Sequence, residues 1–431
     1  MLLAREARVW KQQRLLEEYR CPLVCFTMNI PGPVKCSPLI VRSFRWGLQQ
    51  LERDLKGIVY RETREEVTGC EAYFAVDADA LEVKRLCTQI EDGNQVGRLF
   101  DMDVLDESGK KLDRALVNGK SRDCIVCGKP GRGCASRRLH SLEDLEMAVH
   151  SLMMEHFLNA DGNRVAEWAV ESLLEEVHTT PKPGLVDGRN NGSHKDMDIA
   201  LFTISAEALR PYFRECFRLG QATADRPAQE TFARLRQAGL WAEQEMYRVT
   251  GGVNTHKGAI FTLGLLCGSL GKLWRAEKPI PQLPALLDRC AELGDCALKG
   301  DFRDLSAPQT AGERFYVNRG IAGIRGEAAA GLPSVRNIGL PAFREALSRG
   351  LNRNDAGAVA LLHLIAQVED TNLYHRGGTV GAAWAKAEAK KLLPCPTVPQ
   401  LEALDDAFIE RNLSPGGCAD LLAVTYFLGH L

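Results

Sequence analysis

The sequence predicts two domains: an α+β domain over residues 1–160 and an all-α domain over residues 161–431. Three observations carry this. A chain of 431 residues, 45% apolar and 26% charged, has material for more than one core and is neither disordered, collagen-like nor a disulfide mini-protein. Up to about Asp123, helical patterns alternate with short β-rich runs. Beyond Asp161-Gly162-Asn163, nearly every segment has helical period with Gly or Pro punctuation.

The elements follow in order. A charged amphipathic helix runs from the start to about Tyr19, then come the β-rich runs Leu23–Thr27 and Ala72–Val76 and the helical stretches Ser43–Leu55 and Ala80–Glu91. Gly97 to Leu112 reads as strand, turn, strand, with Asp106–Gly109 turning. A helix over Ser141–Ala160 is expected to stop at Asp161-Gly162-Asn163, where the domain boundary is drawn. Helices are then expected over Arg164–Val177, Asp198–Leu219, Ala228–Arg248, His256–Leu270, Ala356–Glu369, Ala382–Leu392 and Pro399–Arg411.

Charge and hydropathy narrow the function classes. Basic and acidic residues number 24 and 23 in residues 1–150, then 30 and 33 beyond, so neither part is a polycation and no nucleic-acid partner is expected. The longest apolar stretch, Ala259–Leu270, is shorter than the roughly 20 residues of a spanning helix, so no membrane segment is expected. The charged start does not read as a secretory signal, and a cytoplasmic location with reduced thiols among the 14 cysteines is the expectation.

In the first domain, Asp101 and Asp103 stand at i and i+2 of an otherwise apolar strand. They point the same way about 6 to 7 Å apart, where one divalent ion could join them; the alternative is a solvated hairpin edge. Asn29-Ile-Pro-Gly-Pro-Val-Lys35 is a stiff turn whose glycine can approach a ligand, or a plain connection. Cys124-x2-Cys127-x6-Cys134-x5-His140 has zinc-knuckle spacing, although Arg132, Arg137 and Arg138 crowd it and Cys134 has a simple buried reading.

These residues carry a resemblance. Arg5-Glu-Ala-Arg8, Asn29–Lys35, Tyr73-Phe-Ala-Val-Asp77, Gly97-Arg-Leu-Phe-Asp-Met-Asp103-Val, Cys124-x2-Cys127 and Arg137-Arg-x-His140-Ser resemble the apo-citrate lyase phosphoribosyl-dephospho-CoA transferase family over most of residues 1–150. The resemblance implies transfer of a phosphoribosyl-dephospho-CoA group from its triphosphate precursor to a serine of the apo acyl carrier subunit of citrate lyase, releasing pyrophosphate. In that reaction Asp101 and Asp103 would hold the ion, Mg2+, while Lys35 and Arg98 would neutralise the leaving group.

In the second domain, Asp187 to Asp198 packs three acids, two bases, one histidine and two asparagines into twelve residues, a density suited to triphosphate and metal. Part of it has another use, since Ser193-x-x-Asp196 fits a helix capping box. Thr250-Gly-Gly-Val-Asn-Thr-His-Lys-Gly258 precedes an apolar helix, with Thr255 a natural N-cap, free amides facing an anion and Lys257 as counter-charge; a merely capped loop looks the same. Ile321-Ala-Gly-Ile-Arg325-Gly-Glu327 places a base and an acid on a small-residue segment, and Asp370–Gly378 and Asn412–Asp420 complete the set.

Pro181-Lys-Pro-Gly-Leu-Val-Asp187, Asn191-Gly-Ser-His-Lys-Asp196-Met, Gly252-Val-Asn-Thr-His-Lys-Gly258 and Leu413-Ser-Pro-Gly-Gly-Cys-Ala-Asp420 resemble the triphosphoribosyl-dephospho-CoA synthase family over roughly residues 164–431. The resemblance implies that ATP and 3'-dephospho-CoA are joined with loss of adenine, making the precursor that the first domain consumes. For that reaction Mg2+ on Asp187, Asp196 or Asp198 would hold the triphosphate with Lys182, Arg189, Lys195, Lys257 and Arg325. His194, His256 and Glu327 are the candidate acid and base. Two rivals remain at this point: an all-α ADP-ribosyl hydrolase-like enzyme, which would release adenine to water without dephospho-CoA, and a non-catalytic scaffold for the carrier protein.

Overall fold

The computed structural model describes residues 2–301 and 323–431. It divides into two compact units, residues 1–159 and 160–431. The first unit contains α1 (Leu2–Tyr19), β1 (Leu23–Met28), α2 (Pro38–Asp54), β2 (Ile58–Glu66), β3 (Gly69–Val76), α3 (Ala80–Asp92), β4 (Phe100–Leu105) and α4 (Gly131–Arg137).

The four strands form one antiparallel sheet in the order β2-β3-β1-β4. Register sorts its side chains. Phe26, Phe74 and Met102 share the face buried under α2, where the Phe26 ring stacks on Phe44 at 4.8 Å and meets Phe100 edge-on at 5.2 Å. The opposite face begins apolar, with Leu23, Ala75 and Leu105 packed on Leu15 of α1, and becomes polar toward Thr27, Glu71 and Asp101. There α1 contributes charge rather than bulk: Arg8 pairs with Glu71 and Lys11 with Glu62.

β4 lies at the edge of the sheet, and side chains close its outer side. Met102 N–H donates to Glu91 of α3 at 2.8 Å, Lys84 donates to Met102 O at 3.0 Å, and Arg122 donates to Phe100 O at 2.8 Å. The second strand expected after Asp106–Gly109 shrinks to a single bridge, Leu105 to Lys111. Asp106 explains this, since its carboxylate caps the turn by accepting from Ser108 N and Lys110 N, both at 3.0 Å.

α5 (Leu142–His178) spans 37 residues, and the break expected at Asp161-Gly162-Asn163 is absent. Tertiary contacts override the local signal: Asp161 is buried and accepts the Trp274 indole N–H at 2.8 Å, while Phe217 packs against Gly162. The rest of the second unit, among the described residues, is built of helices: α6 (Ile199–Ala208), α7 (Arg210–Ala222), α8 (Ala228–Val249), α9 (Lys257–Leu273), α10 (Leu283–Asp301), α11 (Gly323–Ala329), α12 (Leu340–Ser348), α13 (Arg353–Gln367), α14 (Thr371–Leu392), α15 (Val398–Glu410) and α16 (Gly416–Leu428). The single helix expected over Asp198–Leu219 is two helices, divided at Leu209 where Pro211 opens α7.

α9, α13 and α16 are buried almost all round and form the centre of this unit. α7 crosses α9 at backbone contact: a Cβ on Gly220 would lie 2.0 Å from Gly268 O, and one on Gly271 2.0 Å from Phe217 O. Among the described residues, no helix is long and apolar enough to cross a membrane.

Candidate functional sites

In the first unit, cross-strand register sets Thr27 opposite Asp101 and Cys25 opposite Asp103, so the two acids share the polar face with Glu71 and Tyr73. Asp103 is tied to Lys111 at 2.6 Å, whereas Asp101 lines a cavity of about 200 Å³ with Arg8, Asn29 and Lys35. Loss of hydration and the like charge of Asp103 hold the Asp101 carboxyl above the ordinary carboxylate range. Lys35 reaches back to the carbonyl of Ile30 across the turn at Gly32 (φ +73°). Arg98 lies elsewhere, in a cavity of about 1040 Å³ with Arg114 and Arg122, and Asn29 borders both spaces. Thus Lys35 and Asp101 come together, and Arg98 faces a separate wall.

Cys124, Cys127, Cys134 and His140 lie on that larger cavity's side, their ligand atoms all within 4.8 Å of one another. Among the described residues this is the one such group of three or more. The turn N–H groups of Cys127 and Val126 pull the Cys124 thiol down to about 7. Buried His140 Nε2 has no hydrogen-bond partner among the described residues.

In the second unit, the segment after α5 folds back on itself. Asp187 is buried and its carboxylate accepts three backbone N–H groups: Lys182 at 2.7 Å, Arg189 at 2.7 Å and Asn190 at 3.1 Å. Asp198 caps α6 through Leu201 N at 2.8 Å, and Ser193 donates to Leu413 O at 2.6 Å instead of forming the expected capping box. Arg189 pairs with Asp405 at 2.6 Å and Asp406 at 2.8 Å, and buried Asp405 also accepts from Gly184 N and Asn190. These residues close and pin the loop. Phosphate is expected at Arg189 and metal at Asp187 or Asp198; in the structure Arg189 is ion-paired, Asp187 accepts from the loop backbone and one Asp198 oxygen caps α6. Asp196 and Lys195 remain exposed.

A cavity of about 240 Å³ opens beneath this loop, lined among others by Glu176, Lys182, His194, His256, Arg376 and Asp420. Lys182 is only 1% exposed and donates to the Glu176 carbonyl at 2.7 Å and its carboxylate at 2.5 Å, forming a buried ion pair. Arg376 Nη2 lies 3.3 Å from His194 Nδ1 and His194 Nε2 lies 2.9 Å from Ser414 Oγ. Since guanidinium can only donate, His194 accepts at Nδ1 and donates from Nε2, and burial with Arg376 beside it lowers its pKa. His256 is 3% exposed, with Nδ1 at 2.8 Å from Ser205 Oγ; burial and Lys182 push its pKa down to about 3.

The head of α9, where an anion is expected, borders the cavity, and its polar groups have partners within the protein. Thr255 bonds to Ser205, Lys257 N donates to Asn254 at 3.2 Å, Ala259 N donates to Asp420, and Lys257 Nζ pairs with Glu243 at 2.8 Å. The Asp420 side chain thus meets this helix end. Glu327 is bonded to Ser334 N and Oγ at 3.1 and 2.6 Å, and Arg325 lies over the Phe261 ring at 5.9 Å; neither lines the cavity. Ile321 and Ala322 of that cluster lie outside the described residues. Sequence reasoning placed Arg376 and Asp420 in its motif clusters without giving either a role, and it missed Glu176. Asp420 carried a signal: an acid inside the apolar run of α16.

Comparison with known proteins identifies the family of each unit. Residues 1–156 match the family model "Apo-citrate lyase phosphoribosyl-dephospho-CoA transferase" and residues 162–431 match "ATP:dephospho-CoA triphosphoribosyl transferase". "Protein CitXG" of Haemophilus influenzae is 35% identical over 99% of this chain and 94% of its own length. The protein of the same name from Leuconostoc mesenteroides subsp. cremoris is 32% identical over 99% and 95%. A 2-(5''-triphosphoribosyl)-3'-dephosphocoenzyme-A synthase of Pectobacterium atrosepticum is 43% identical over 60% of this chain and 86% of its own. The chain therefore belongs to the family of bifunctional transferases that join an apo-citrate lyase phosphoribosyl-dephospho-CoA transferase to an ATP:dephospho-CoA triphosphoribosyl transferase, which build and attach the citrate lyase prosthetic group.

Proposed function

We propose that residues 161–431 join ATP to 3'-dephospho-CoA in the cavity under the 181–194 loop, and that residues 1–160 pass the product to a serine of the apo acyl carrier subunit at the Asp101–Lys35 cavity. The observation that supports the first assignment most is the buried Glu176–Lys182 pair bordering the same space as His194, His256 and Arg376. Burying these charges costs several kcal/mol apiece before their mutual attraction is counted, and a wall that also serves as a reaction site is one reason to keep them.

At the edge of the first-unit cavity, Mg2+ fits Asp101 together with Asp103, whose partner Lys111 it would displace, since a cation would relieve the like-charge repulsion that raises Asp101. Bound there, the ion would offset charge on the departing pyrophosphate. Lys35 and Arg8 border the cavity as further positive charge, and the carrier serine would approach over Asn29. Zn2+ fits Cys124, Cys127, Cys134 and His140 as a closed structural set of four soft or borderline ligands, with the partnerless His140 nitrogen as the fourth. Asp103→Asn tests the division of labour. It is expected to abolish carrier modification, read as carrier mass, while adenine release from ATP and dephospho-CoA stays at the wild-type rate; full carrier modification refutes the assignment.

A further inference from the structure

We propose that Asp420 is the acid that protonates the departing purine, an inference that rests on the synthase reaction occupying the cavity under the 181–194 loop. Charge counting starts the argument. Lys182 is matched by Glu176, and among the described residues no cation stands within ion-pair distance of Asp420. Its neighbours are of the wrong sign: Glu176 of α5 and Asp370 at the head of α14, with the Ala259 N–H the one group favouring the anion. His194, Lys257 and Arg376 border the same cavity, but His194 is held neutral, Lys257 pairs with Glu243 and Arg376 is directed to Ser193 O and Asn412.

Burial and the repulsion of Glu176 and Asp370 raise the Asp420 carboxyl to about 8, so it holds its proton at neutral pH. His256 cannot be that donor, since an imidazole pushed down to about 3 carries no spare proton there. What His256 offers is different. Its Nε2 is buried, borders the cavity and has no partner among the described residues, an unmet hydrogen bond that points to a polar ligand atom. The missing partner and the protonated acid thus face one space, and a nucleotide base supplies ring nitrogens for both.

The step balances as follows. The bond from ribose C1' to the purine breaks with its electron pair going to the purine, and the Asp420 proton moves to a ring nitrogen. The 2'-oxygen of dephospho-CoA bonds to C1', and its proton passes to the Glu176–Asp420 carboxylate pair. The pair therefore begins and ends the cycle with one proton.

The test measures adenine release by the intact chain across pH for wild type, Asp420→Asn and Glu176→Gln, with carrier modification from preformed triphosphoribosyl-dephospho-CoA as the folding control. An acid must be protonated to act, so the wild-type rate is expected to hold below about pH 8 and fall above it. Asp420→Asn should lose about 10² to 10⁴ in rate and lose that pH limb. An N7-methylated ATP, whose base leaves without a proton, should bring the variant to within about tenfold of wild type, a rescue that a structural role would not produce. Normal adenine release by Asp420→Asn, or a loss that the methylated nucleotide leaves untouched, overturns the assignment. If Glu176→Gln and His256→Ala also release adenine normally, the cavity reading itself fails; if they are impaired while Asp420→Asn is not, only the acid is misassigned.

Discussion

Gly258→Ala is a one-methyl probe of where Asp420 must stand. An ideal Cβ at position 258 would lie 1.9 Å from Asp420 Oδ2 and 2.7 Å from its Cγ. Since an ordinary close carbon–oxygen contact is about 3.3 Å, the carboxyl must withdraw by about 1.4 Å. A misplacement of about 1 Å at a reacting group costs on the order of 10²-fold in rate, so adenine release should fall by at least that factor. Stability sharpens the test. Alanine in a helix is favoured over glycine by about 0.8–1 kcal/mol, whereas overpacking costs about 1–3 kcal/mol, so a net loss near 1 kcal/mol is expected. For a unit of this size that is a fall of roughly 2–4 °C in Tm. The assays are chromatographic adenine release and thermal unfolding, with carrier modification from preformed precursor unchanged. Adenine release within twofold of wild type, together with a raised Tm, would refute the placement.

Two further expectations follow from the same geometry. His194→Gln should lower synthase turnover only about five- to tenfold while ATP still binds, because both ring nitrogens already serve Ser414 and Arg376 and one net hydrogen bond is worth about 1 kcal/mol; a loss beyond 10²-fold would return His194 to the proton chemistry. Metal analysis of protein produced with zinc should find one equivalent per chain, lost in Cys127→Ser along with several degrees of Tm in the first unit, and a metal-free wild type would refute the site.

Much of the first unit could be read from the chain alone because its signals are local. Asp101 and Asp103 alternate with Phe100, Met102 and Val104, and period two fixes which face each takes. The 161–163 break misled for the opposite reason: Asp161-Gly-Asn is a strong local stop, and what overrides it is Trp274, more than a hundred residues away. The charge-dense stretch after Asp187 is ambiguous in sequence for a related reason. Asp187 closes turns and Asp198 caps α6, and short polar side chains bonding to their own backbone have the same composition as a ligand site. Glu176 could not be singled out, since it stands beside Glu175 in an ordinary helical pattern and only the return of Lys182 buries it. Arg376 likewise acquires its role from His194, 182 residues distant.

The closed outer side of β4 has a consequence for the molecule in crowded company. A sheet edge with free N–H and C=O groups is a template on which another extended chain can grow, and nascent or unfolded copies supply such chains. Here the Lys84, Glu91 and Arg122 side chains hold Met102 and Phe100 at that edge, while the far edge, β2, carries Arg61, Glu62, Arg64, Glu65 and Glu66 in near-unbroken alternation of sign. The same α3 residues that brace the strand bearing Asp101 and Asp103 thereby make it a poor seed for aggregation, so the acids can stay near the surface without leaving a sticky ribbon beside them.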